Sequence, residues 1–203
     1  MNLSKTHQRA VGAVLMLLMV LTRSHHAATA VHLPDASWTV FFLAAVYLRS
    51  LWPFPVFALA AWLIDLAAVD LGGVSGFCMT PAYVALIPAY GALWLAGLWY
   101  ARVHRDRLST LWPLAGIFLL GVGVCDLFSS GGFYLFSGYF HHQSWGEYIA
   151  RTREYLPSFL ASASLYLGAA ALIHVFARAF VRTEGEKSAG QGVKGRYAAL
   201  ARR

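Results

Sequence analysis

PFPVFALAAWLIDLAAVDLGGVSGFCMTPAYVALIPAYGALWLAGLWYARV, residues 53–103, is two apolar runs joined by a glycine-rich hinge. The first run, Pro53 to Leu71, and the second, Pro81 to Val103, are each close to the ~20 helical residues needed to cross about 30 Å of hydrocarbon. Lipid offers no hydrogen bonds to a bare backbone, so runs of this kind must be helices. Thr80-Pro81 before the second run, like Pro34-Asp35 before an earlier apolar segment, suits a helix start, because the first turn leaves its N–H groups unbonded in any case. Gly72-Gly73 ends the first run.

Four further apolar segments flank this pair: Ala10 to Thr22 with an open extension to Ala30, Asp35 to Leu51, Leu108 to Phe128 or slightly beyond, and Pro157 to Phe180. The chain is 59% hydrophobic and 12% charged over 203 residues, whereas a soluble domain carries about a quarter charged residues. The expectation is an all-α integral membrane protein with six transmembrane helices in one domain, residues 1–183. Residues 184–203 read as a basic, mobile cytoplasmic tail able to rest on anionic lipid. The small-residue run Ala27-Ala28-Thr29-Ala30 mimics a cleavage site, but Arg23, His25 and His26 precede it, and a cleavable signal is the lesser reading.

With six helices, thirteen of the sixteen Lys and Arg residues fall on the side of the termini and only Arg23, Arg151 and Arg153 on the other. The positive-inside rule then puts both termini in the cytoplasm. The net charge of +7 is spread over loops and tail with no aromatic-interleaved basic face, so nucleic acid is not the expected partner.

This orientation gathers the unusual polar residues at the outer end: His25 and His26 after the first helix, Asp65 in the third, Cys78 in the following loop, Tyr83, Cys125 and Asp126, and His141 to Arg153 in the last outer loop. An unpaired carboxylate at Asp65 would cost a few kcal/mol in hydrocarbon, so it needs a partner, such as a Tyr or Trp, or a wet cavity. Asp126 reads the same way, with water reaching it through the neighbouring Gly and Ser residues. Arg151 and Arg153 suit phosphate, carboxylate or amide oxygens, or a plain ion pair with Glu147 or Glu154. Cys78 has three readings: a disulfide with Cys125, an inert buried thiol, or a reactive, metal-ligating thiolate. CxxC, HExxH, Walker and nucleophile-elbow patterns are all missing from the sequence.

The order His26, Asp65, GFCMTPAY with Cys78 and Tyr83, then Arg151 before a final helix resembles the BtuM family. These are solitary substrate-binding (S) components of the energy-coupling-factor transporter class, proposed to import cobalamin across the inner membrane of Gram-negative bacteria. The resemblance implies an S-component-like bundle with an outer ligand cavity, in which Cys78 coordinates the cobalt of cobalamin and displaces cyanide from cyanocobalamin. It also implies roles in the ligand reaction for Asp65 and Tyr83, and ligand contacts for His26 and Arg151. Phe77 and Tyr83 offer flat apolar surface to a macrocycle. The Ala-x-x-x-Ala pattern by which such components meet a coupling module is absent, since Val14 follows Ala10 and Leu17 follows Ala13; this fits a solitary transporter whose partners are corrinoid and membrane lipid. Whether decyanation makes it an enzyme depends on turnover. Two rivals stand beside this reading: a membrane haem or redox protein with His26, His141 or His142 as axial ligands, and a structural membrane protein with a Cys78–Cys125 disulfide.

Overall fold

A computed structural model describes residues 4–23, 33–71, 75–105 and 107–200, with the side chains of residues 78, 108 and 178–200 outside the description. Its α-helices are α1 (Lys5–Arg23), α2 (Ser37–Leu48), α3 (Pro53–Asp70), α4 (Leu86–Val103), α5 (Leu111–Phe136) and α6 (Trp145–Leu200). Three 3-10 turns, Gly76–Cys78, Pro81–Ala85 and Leu108–Thr110, complete the regular structure, and no strand occurs among the described residues. Contacts divide the chain into two units, one ending at Ser164 and one beginning at Leu165. Every residue of the site described below belongs to the first.

Among the described residues, four spans are long and apolar enough to cross a membrane: Pro53–Asp70, Pro81–Val103, Leu111–Phe136 and Trp145–Ala177. Large apolar side chains such as Val56, Leu59, Leu63, Leu119, Leu120 and Leu127 face outward, the inverse of a water-soluble surface. The chain is a helical, multi-pass membrane protein. The apolar segment after Pro34 behaves differently. At 12 residues it is about 18 Å long, and it is buried on nearly all sides from Ser37 to Val46.

This short helix organises the core. Phe41 stacks on Tyr90 of α4 with centroids 4.2 Å apart, and meets Phe54, Phe57 and Trp94 edge-on. Phe42 meets Phe118 of α5 edge-on at 5.0 Å. Aromatic pairs of this geometry add about 0.5–1.5 kcal/mol each beyond area burial. The indole N–H of Trp94 donates to the Ser50 carbonyl (3.0 Å), closing the far end of α2, where Arg49 turns into the left-handed region at φ 53°.

Several sequence expectations shift. Helix α5 runs to Phe136, through the Ser129-Ser130-Gly131-Gly132 stretch that reads as water-accessible. The Ser129 hydroxyl bonds the Cys125 carbonyl and the Ser130 hydroxyl bonds Asp126, so both stay within the helix. Asp126 is 5% exposed. Helix α6 begins at Trp145, not at Pro157, which lies inside it. Ser144 is the reason: its hydroxyl accepts from the Glu147 N–H (3.2 Å), the first half of the Ser-x-x-Glu capping pattern. Glu147, Arg151 and Arg153 are therefore helical rather than looped. Tyr83 sits on the 3-10 turn that leads into α4.

Candidate functional site

Arg23 closes α1, and a polar stitch fixes where it points. The Thr22 hydroxyl donates to the Leu18 carbonyl (2.8 Å) and accepts from the Ala36 N–H (3.2 Å), joining the end of α1 to the start of α2. The Arg23 guanidinium, 8% exposed, then meets both oxygens of Asp65 on α3, Nε to Oδ1 and Nη2 to Oδ2, each at 2.7 Å. Its Nη1 donates to Ser37 Oγ (2.8 Å) and to the Tyr90 hydroxyl (2.7 Å), with Asp35 Oδ2 4.0 Å away. Ser37 passes the chain on: its N–H and hydroxyl both donate to Asp35 Oδ1, at 2.9 and 2.6 Å. The Tyr83 hydroxyl donates to Asp65 Oδ2 (2.8 Å). A bidentate pair whose remaining donors and acceptors are also bonded is the arrangement in which a buried charge is tolerated.

This network borders a cavity of about 590 Å³, within the range of small-molecule sites. Arg23, Asp35, Asp65 and Tyr83 contribute its lining together with Trp38 and Tyr90. Asp126, Ser129, Ser130 and Phe133 of α5 line it too, as do Tyr148, Arg151, Tyr155 and Phe159 of α6. Arg151 donates through Nε and Nη2 to Glu147 Oε1 (3.1 and 3.0 Å) and lies over the Phe140 ring, 4.4 Å from its centroid. Phe77 stacks against Tyr139 at 4.3 Å. A lining of flat aromatic faces with a few fixed polar groups can hold an aromatic or macrocyclic body and orient it by its polar substituents.

Of the residues singled out from sequence, Asp65, Phe77, Tyr83 and Arg151 line this one cavity. Cys78 follows Phe77 in the turn Gly76–Cys78; its side chain lies outside the described residues. His26 falls in the segment 24–32, also outside them. His141 and His142 are exposed and absent from the cavity lining. Cys125 is a free thiol, fully buried in α5, so the disulfide left open for it is not formed. Arg153 is exposed on α6.

Arg23 is the residue that sequence reasoning passed over. It was countable only as one of three outer cations, yet Asp65 demands a partner in lipid and a helix-terminal Arg can supply one. Tyr90 and Ser37 carried no comparable signal, because their role depends on where α2 and α4 bring them. Neither a family model nor a curated protein matches this chain significantly.

Proposed function

We propose that this chain takes up a corrinoid, cobalamin or a close relative, across the inner membrane of a bacterium, as a solitary S-component-like transporter with six spans and both termini in the cytoplasm. The observation that carries the reading is the convergence of Asp65, Phe77, Tyr83 and Arg151, from separate segments of the chain, on one aromatic-lined cavity. Phe77 immediately precedes Cys78, the proposed cobalt ligand. A whole corrinoid is larger than 590 Å³, so the cavity would take part of the macrocycle and leave the rest at its opening.

In this reading the Cys78 sulfur bonds cobalt(III) as the cobalt–cyanide bond breaks. The thiol proton leaves with cyanide as HCN, so charge and atoms balance and cobalt keeps its oxidation state. Thiolate is a soft ligand and competes for such a metal once deprotonated. Asp65 accepts two bonds from Arg23 and one from Tyr83, so both its oxygens are engaged. Its role here is to hold Tyr83 and Arg23 against the cavity. Arg151, half-exposed and paired to Glu147, would meet amide or phosphate oxygens of the ligand. The reaction is stoichiometric unless a thiol reductant frees the sulfur.

Purified protein mixed with cyanocobalamin is expected to change its visible spectrum and release one equivalent of HCN, and Cys78→Ala to do neither. Expression is expected to restore growth at low cobalamin of a cobalamin-dependent host lacking uptake. Wild-type protein that neither binds cyanocobalamin nor restores growth would sink the reading; a Soret band would replace it with the haem alternative.

A further inference from the structure

Asp126 stands apart from the network around Arg23. It lies on α5, 5% exposed, and lines the cavity. Oδ1 accepts a hydrogen bond from the Ser130 hydroxyl (2.7 Å). Oδ2 has no hydrogen-bond or ion-pair partner among the described residues. The cations of the same lining are engaged elsewhere, Arg23 with Asp65 and Arg151 with Glu147, and the Ser129 hydroxyl is turned to the Cys125 carbonyl. Thr152 Oγ1 on α6, a residue of the same lining, is buried without a partner.

Oδ2 is not among the fully buried unpartnered atoms; it is open to the cavity and free to accept a bond from whatever fills it. Nothing in the packing requires an acid at this position: Ser130 would donate equally well to the carbonyl of an Asn. We propose that Asp126 is a ligand-recognising residue, whose free oxygen accepts a hydrogen bond from an N–H donor, an amide or ammonium group, of the molecule that fills the cavity. Resting on the corrinoid reading, the donor is a peripheral carboxamide of the macrocycle. Asp126 then selects for amide side chains at one edge of the ring and against carboxylates there, because a second negative charge facing it in a low-dielectric cavity is repelled.

Asp126→Asn separates this role from a structural one. It keeps the bond from Ser130 and removes the charge. The ligand-free variant is expected to melt in detergent at a temperature no lower than wild type, since the Ser130 bond is kept. Its dissociation constant for cyanocobalamin is expected to rise on the order of tenfold, through loss of a charge-assisted acceptor. A melting temperature below wild type would make Asp126 structural and overturn the proposal, as would unchanged affinity in a variant that binds. If wild type itself binds no cyanocobalamin, the corrinoid reading falls, and the ligand-free melting temperatures still decide for or against Asp126 as a ligand group.

Discussion

Arg23→Met is expected to destabilise the protein by about 3–5 kcal/mol, the range for breaking a buried ion pair by removing one partner. Methionine fills the same volume, so the loss isolates the charge. Without the guanidinium, Asp65 keeps only the Tyr83 hydroxyl, Tyr90 and Ser37 lose a donor, and Asp35 loses its nearest cation. Against a typical total of 5–15 kcal/mol the effect is large. The double variant Arg23→Met with Asp65→Leu is expected to recover most of it, because replacing both members of a buried pair by apolar groups is often neutral. Arg23→Lys should fall between, since an ammonium keeps the charge but cannot span both Asp65 oxygens. Unfolding in detergent, followed as a double-mutant cycle, reads the coupling. If the two single losses simply add, Arg23 and Asp65 are not acting as a pair.

The elements visible in the sequence are those whose signal is local. Runs such as Pro53 to Leu71 and Pro81 to Val103 depend only on length and apolarity, and the structure places helices there within a few residues. The misread boundaries involve competition between local signals. Pro157 looks like a helix start, but the Ser144 cap comes well before it, and lipid-embedded helices accept an internal Pro. Ser129 and Ser130 look like loop until their hydroxyls are seen bonding back into α5. The candidate site was legible at Asp65 because a carboxylate in lipid is rare enough to need a reason. It was not legible at Arg23, Ser37 or Tyr90. Their contribution exists only because α2, buried on nearly all sides, brings the ends of α1, α3 and α4 onto one guanidinium.

That inward placement of α2 yields the second large expectation, at Gly97. A Cβ built there would lie 2.3 Å from the Phe42 carbonyl oxygen and 2.8 Å from the Ala45 Cβ, and a backbone oxygen cannot swing away as a side-chain tip can. On the neighbouring face, Ala96 stands against Gly121 of α5, whose own added Cβ would be 2.8 Å from it. Helix α4 is thus held closely by α2 and by α5 through small residues, the device by which helices approach in lipid. Alanine is the better helix former by about 1 kcal/mol, which predicts stabilisation wherever space permits. Gly116 and Gly123 have nothing within 4 Å of an added Cβ, so Gly116→Ala and Gly123→Ala should be neutral or stabilised by up to about 1 kcal/mol. Gly97→Ala should instead lose about 1–3 kcal/mol net, with the larger Gly97→Leu beyond that, because overpacking outweighs propensity. Pushing α2 outward would also displace Trp38 from the cavity lining and Ser37 from Arg23, so ligand affinity should fall with stability at Gly97 and stay constant at Gly116. Equal melting temperatures for Gly97→Ala and Gly116→Ala would mean that the α2–α4 approach is not held at this distance, and the support it gives the Arg23 network would have to come from elsewhere.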